Sequence, residues 1–221
     1  ADGEPIRPEL TVEGPAEAPA PAPVANLPIT IEQLRSDNNY DQVDKYFINQ
    51  TPIAQSGSAD IYFGWETDTS NQLIRPIAIK TPHNTTFDQE YTKKEAKKLT
   101  LLNKIPGVIR LYNQVKITPQ VTSLVLEWLG TEDGKPYPNL ASWQNSNAYS
   151  IEGALDILEQ LASILDNVHQ AGVIHRDIKP ANIIIDPNNI PTLIDFGSPT
   201  AAQDEESSFG TPDYMSPEAA K

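Results

Sequence analysis

From Tyr46 onward, apolar and polar residues alternate. Residues 46–55 (YFINQTPIAQ) and 59–66 (ADIYFGWE) carry the alternation of half-buried strands. Residues 73–80 (LIRPIAIK) read as a third strand that ends at Lys80. The pattern then changes period. Residues 88–104 are charged, with Ala96, Leu99, Leu102 and Ile105 recurring as a buried helical stripe. Two more strands are expected around residues 108–112 and 123–128. Residues 150–170 give the clearest helix, with Ile151, Leu155, Leu158, Ala162, Leu165 and His169 spaced to share one face. Gly172 follows as a left-handed cap. Three short apolar segments, VIH, NIIID and PTLIDF, come next with turns between them. No internal repeat is evident. Strands dominate the first half and helix the second, which predicts an α+β chain.

Upstream of this pattern, residues 1–28 are rich in Pro, Ala and Glu. Such a composition has too little apolar surface to offset the entropy of ordering, so a disordered or polyproline tail is expected. Residues 29–42 are read as a short helix or adaptor. The organisation is therefore a tail and adaptor over 1–43, a strand-rich unit over 44–129 and a helical unit over 130–221. The chain starts at Ala1 rather than Met. That fits either a piece of a longer chain or a mature chain that has lost a targeting segment.

Charge and composition exclude several classes. The formal net charge is −14. Binding to nucleic acid or an anionic membrane needs clustered Lys and Arg, and is not expected. No run approaches the roughly 18 apolar residues of a membrane span. There is no cysteine, which removes disulfides, thiolate metal sites and cysteine nucleophiles. Asn49 and Asn84 head glycosylation triplets of a kind common by chance.

The most polar cluster lies in residues 173–182, VIHRDIKPAN. On its own it fits either a solvated turn or a catalytic loop. Its neighbours decide. An Asp-Phe-Gly triplet begins at Asp195, 18 residues after Asp177, the sequence IAIK ends at Lys80, and FGTPDYMSPE spans residues 209–218. Together these resemble the signature of protein kinases, and most closely the eukaryotic-like Ser/Thr kinases of bacteria. The resemblance runs from about residue 44 to the end of the chain. It implies a two-lobed fold, with a strand-rich first lobe and an incomplete helical second lobe.

It also implies roles. Lys80 would hold the nucleotide phosphates and needs a carboxylate to orient it. Glu95 shares the face of Leu99 and Leu102, whereas Glu90 faces Lys94 and solvent, so Glu95 is the candidate. Asp177 would accept or orient the hydroxyl proton, and Lys179 would stabilise the transferred phosphoryl group. Asn182 and Asp195 would hold Mg2+, whose hard character suits their oxygens. His175 would pack against Phe196 and Leu99, and Arg176 would face a phosphate on the activation segment. The hinge would be residues 123–130, with Leu126 as gatekeeper and Glu127 and Leu129 binding adenine through their backbone. Ile53, Ala54, Ser56, Gly57, Ile61 and Ala78 would line the rest of the ATP site.

This sequence departs from the family pattern in three places. Ala54, Ser56 and Ala59 stand where the nucleotide loop carries glycine. Alanine at a position of positive φ costs about 1 kcal/mol, less than tenfold in affinity. The segment after Gly197 is short and acidic at residues 204–206, with Ser207, Ser208 and Thr211 as candidate phosphosites. Finally, the sequence stops at Lys221, before the helices that carry the substrate platform and the partner of Glu218. The expectation is a fragment of a longer protein, or a partner protein that covers the gap or binds the tail. The leading reading is a Ser/Thr protein kinase that uses ATP and Mg2+ on a protein substrate. It would be cytoplasmic, or inside an organelle if Ala1 follows a removed leader. The rival is a kinase-like scaffold, a pseudokinase, held in a larger assembly.

Overall fold

The structure is a computed structural model of the 221-residue chain, and it describes residue 27 and residues 29–56, 58–83, 85–145, 150–197 and 212–214. The Pro/Ala-rich tail over 1–26, Gly57, Asn84, the acidic residues 204–206, Ser207, Ser208, Thr211 and Glu218 lie outside the described residues.

The first lobe is a six-stranded antiparallel sheet. Its strands are β1 (Tyr40–Val43), β2 (Tyr46–Gln55), β3 (Ala59–Thr67), β4 (Leu73–Pro82), β5 (Leu111–Lys116) and β6 (Thr122–Glu127), in the order β1-β2-β3-β4-β6-β5. Helix α1 (Ile31–Ser36) begins in a capping box between Thr30 and Gln33. It buries Leu34 against Phe47, Phe63, Trp65 and Leu73. The sheet thus starts at Tyr40, upstream of the boundary expected at residue 44. The stretch YDQV is too short and too polar to show a strand period.

Helix α2 (Thr86–Leu102) lies on the sheet with Thr85 as N-cap and Ala96, Leu99 and Leu102 buried. Ile105 falls beyond its end. The strand expected at 108–112 runs instead from Leu111 to Lys116. Val108 bridges Leu193, and Ile109 N–H donates to Leu193 O at 3.1 Å, so this part of the segment is committed to the other lobe. Gly107 makes that approach possible. Its φ is 79°, and a Cβ there would lie 2.3 Å from Ile164 Cδ1.

The second lobe contains α3 (Leu140–Gln144), α4 (Ile151–Gln170) and a two-stranded sheet of β7 (Ile183–Ile185) and β8 (Pro191–Leu193). The VIH segment at residues 173–175 forms no strand. Ser150 caps α4 by accepting from Gly153 N–H, and Gly172 follows it at φ 76°. The buried face of α4 is not the expected one. Ile157, Leu161, Ile164 and Val168 are buried, while Ile151, Leu155 and Leu158 are 68%, 61% and 59% exposed. Ala162 and His169 are also exposed, and Leu165 is half-buried. The helix has two apolar stripes of similar spacing, and the described residues pack on the second.

Candidate active site

Strand alternation places the central lysine. Along β4, Ile77 and Ile79 join one core cluster, while Ala78 joins the other, on the side of α2. Lys80 follows Ala78 on that side, opposite Ile61 of β3 and Leu124 of β6. Glu95 lies on the same α2 face as Leu99 and Leu102 and is 2% exposed, whereas Glu90 is exposed. The Lys80 ammonium donates to both Glu95 oxygens, at 2.9 and 2.7 Å, and to Asp195 Oδ1 at 2.8 Å. Burial alone lowers the Lys80 pKa, but the Glu95 and Asp195 carboxylates outweigh it and hold the amine above its ordinary value. Burial likewise raises Asp195, and Lys80 overrides it, so that carboxyl sits below its usual range. For Glu95 burial prevails, and its pKa is raised.

A second cluster sits on the loop before β7. Asp177 Oδ2 accepts from Lys179 Nζ at 2.8 Å and from Asn182 Nδ2 at 2.9 Å. Asn182 Nδ2 also donates to the Asp177 carbonyl at 2.8 Å, and Ile194 N–H donates to Asn182 O at 3.0 Å. The carboxamide therefore spends its donors on Asp177, and its carbonyl oxygen remains as a hard ligand. Arg176 on this loop and Asp195 after β8 adopt left-handed backbone at φ 74° and 64°. Each such non-glycine residue costs about 1–3 kcal/mol, which the surrounding contacts must supply.

His175 is 1% exposed, and its Nδ1 accepts from the Asp177 N–H at 3.2 Å. Its ring lies 4.5 Å from the Phe196 ring, and Leu99 and Phe196 share one core. Lys98, three residues after Glu95, donates to the Phe196 carbonyl at 2.9 Å. Burial and then Arg176 lower its pKa. No sequence motif marks Lys98, although its spacing from Glu95 puts it on a neighbouring part of the same face.

Of the residues expected around ATP, Ala78 and Leu126 are paired across β4 and β6 and buried, with Ile61 and Leu129 packed on the same cluster. Glu127 N–H donates to Arg110 O at 2.9 Å, and Leu129 O accepts from Tyr137 N–H at 3.0 Å. Ile53 stands 37% exposed on β2, outside that cluster. Ala54 pairs with Ile61, and Ser56 begins the turn into β3. A pocket of 180 Å³ opens beside Lys80, between Ser58 and Ala59 of that turn and Asp195. Asp88, Tyr91 and Thr92 close its far wall, from the turns of α2 before Glu95.

The oxygen donors of the site decide which metal they would suit. Among the described residues, no three His, Cys, Asp or Glu side chains converge as a metal cage. Asp195 has one oxygen on Lys80 and a side chain 46% exposed, and Asn182 spends its side-chain nitrogen on Asp177, so a carboxylate and a carboxamide oxygen are the hard donors that these two residues offer. Such a pair fits Mg2+, which is usually held by one or two protein oxygens together with substrate phosphates.

Known proteins resemble this chain over most of its length. The protein kinase domain family matches residues 57–221. Serine/threonine-protein kinase PknA of Mycobacterium tuberculosis is 30% identical over 184 residues, covering 77% of this chain and 40% of that protein. Serine/threonine-protein kinase pkn2 of Myxococcus xanthus is 29% identical over 184 residues, 76% of this chain and 21% of that protein. Probable serine/threonine-protein kinase PknB of Lactococcus lactis is 27% identical over 187 residues, 80% of this chain and 28% of that protein. The chain thus spans less than half the length of each of these relatives.

Proposed function

Because the chain belongs to the protein kinase family, with bacterial Ser/Thr kinases among its relatives, we propose that it transfers the ATP γ-phosphoryl group to a Ser or Thr hydroxyl of a protein. One observation carries this reading: a buried ammonium, Lys80, held by Glu95 and Asp195 at the edge of a pocket. Phosphoryl transfer asks the protein for positioning and charge neutralisation more than for covalent chemistry.

On this reading Lys80, oriented by Glu95, binds the nucleotide phosphates. Ala78, Leu126, Ile61 and Leu129 enclose the adenine, and backbone groups of Glu127 and Leu129 bond its edge. Asp177 accepts the proton of the attacking hydroxyl. Its second role as acceptor from Lys179 and Asn182 fixes its orientation. Lys179 neutralises charge on the transferred group. Asn182 and Asp195 hold Mg2+, which supplies further neutralisation when bound. The low pKa of Asp195 keeps it an ionised ligand at neutral pH.

The test is intact mass after incubation with Mg·ATP, with casein as an added acceptor. We expect phosphate increments on the chain or on casein, and none with Asp195→Ala. A folded wild-type chain that yields no increment on either would overturn the proposal.

A further inference from the structure

The turn from β2 to β3 carries serine at position 56, and its hydroxyl is fully engaged. Ser56 Oγ donates to Ala59 O at 2.8 Å and accepts from Ala59 N–H at 3.0 Å and Ser58 N–H at 3.4 Å. Ser56 N–H adds a bond to Ala59 O at 2.9 Å, and His83 N–H ties down the Ser58 carbonyl at 2.9 Å. None of Ala54, Ser56 and Ala59 has positive φ. Their Cβ atoms therefore impose no backbone strain, and the glycine-to-alanine penalty does not arise at these positions.

The two amides that Ser56 engages belong to Ser58 and Ala59, and both residues line the pocket beside Lys80 and Asp195. Successive backbone N–H groups in a turn are a general means of binding phosphate oxygens. Here the chain's own hydroxyl already satisfies that pair. An entering phosphate is the stronger acceptor because it is charged. It must nonetheless displace Ser56 Oγ, and the bonds lost are subtracted from its binding.

We propose that Ser56 sets the affinity of this site for phosphate-bearing nucleotides, by capping the Ser58 and Ala59 amides that the phosphates would otherwise find free. The inference rests on the reading of the Lys80 pocket as the phosphate end of a nucleotide site. It makes the loop selective against phosphates in particular, and indifferent to the nucleoside.

Calorimetric titration of the full 221-residue chain with Mg·ATP and with adenosine tests it. Ser56→Ala, at an exposed position, is expected to bind Mg·ATP about three- to tenfold more tightly than wild type. Adenosine should bind both alike. Ser56→Thr keeps the hydroxyl and should match wild type. NMR hydrogen exchange gives a readout independent of nucleotide: the Ser58 and Ala59 amides should exchange faster in Ser56→Ala without ligand. Unchanged or weaker Mg·ATP binding in Ser56→Ala, or equal tightening of adenosine, overturns the proposal. Unchanged amide exchange overturns it whatever the nucleotide does. If no variant binds either ligand while exchange still accelerates, the nucleotide reading fails and the affinity claim falls with it, although the cap itself stands.

Discussion

His175 shows how much one side chain can decide. Its Nε2 lies 2.9 Å from Ile194 O, which can only accept, so Nε2 carries the proton. Its Nδ1 lies 3.2 Å from Asp177 N, which can only donate, so Nδ1 is bare. The ring is a neutral spacer that holds the Asp177 backbone against Ile194, just past the end of β8. Burial lowers its pKa from the ordinary 6.5. A lowered histidine pKa means that the unfolded chain takes up the proton first as pH falls. The stabilising contribution is therefore complete above about pH 6.5 and shrinks as pH drops toward the folded-state value. Asp195, also lowered, is lost in a separate window below its ordinary 3.8. The raised Glu95 works in the opposite direction and is common to both proteins, so the expected outcome is a difference. On acidification below about pH 6.5, thermal melts should show wild type losing Tm relative to His175→Gln. Parallel slopes in the two proteins would refute the assignment. The sequence was informative at this scale where one residue had one geometric choice. Glu95 could be told from Glu90 because only one of them shares a face with Leu99. The work of Ser56 could not be read, because a side-chain bond to its own turn leaves no trace in spacing.

At the scale of elements, the first long strands were readable and the two-faced helix was not. Residues 46–55 match β2 from end to end, although Tyr46, Phe47 and Ile48 are all buried and Ile53, Ala54 and Gln55 are exposed, so the strand is anchored by its first half rather than by an alternation. In α4, the series Ile151, Leu155, Leu158 and the series Ile157, Leu161, Ile164, Val168 are both helical stripes, and periodicity cannot rank them. Only the packing partners choose, and Ile157 meets the core that holds Trp143 and Phe196. β5 hid for another reason. Its Asn113, Gln114 and Lys116 look like a loop, while Asn103 after α2 bonds both Leu111 N–H and Leu111 O at 3.0 Å and sets where the strand begins. The choice of face gives a direct comparison. Ile157→Ala, at 1% exposure, should cost about 2–5 kcal/mol in urea unfolding. Leu158→Ala, at 59%, should stay within about 0.5 kcal/mol in this chain. The reverse order would mean that the expected face was the buried one.

Over the whole molecule, the two lobes share one core, which sequence spacing had no means to reveal. Ala78, Leu124 and Leu126 of the sheet, Leu99 of α2, Ile157 and Leu161 of α4, and Phe196 belong to a single cluster. Hydrogen bonds reinforce it, with Leu193 N–H on Gly107 O at 2.7 Å and Lys98 on Phe196 O at 2.9 Å. The second sheet-lobe cluster, around Trp65 and Leu34, is joined to this core through Trp128, which packs against both. Trp128 also meets Phe63 at 4.8 Å between ring centroids, and its Nε1 donates to Thr131 O at 2.7 Å, so it is fixed in place. Cooperativity follows contact. The chain has three tryptophans, Trp65, Trp128 and Trp143, one in each part of this arrangement. With all three replaced by 5-fluorotryptophan, their three fluorine resonances should lose native intensity at one urea concentration. Removing the bridge by Trp128→Ala should let the Trp65 signal melt before that of Trp143. Separate midpoints in the unmutated chain would show that the lobes unfold independently. The pocket between the turn after β2 and Asp195 would then be held by the Lys80 and Lys98 contacts rather than by a common core.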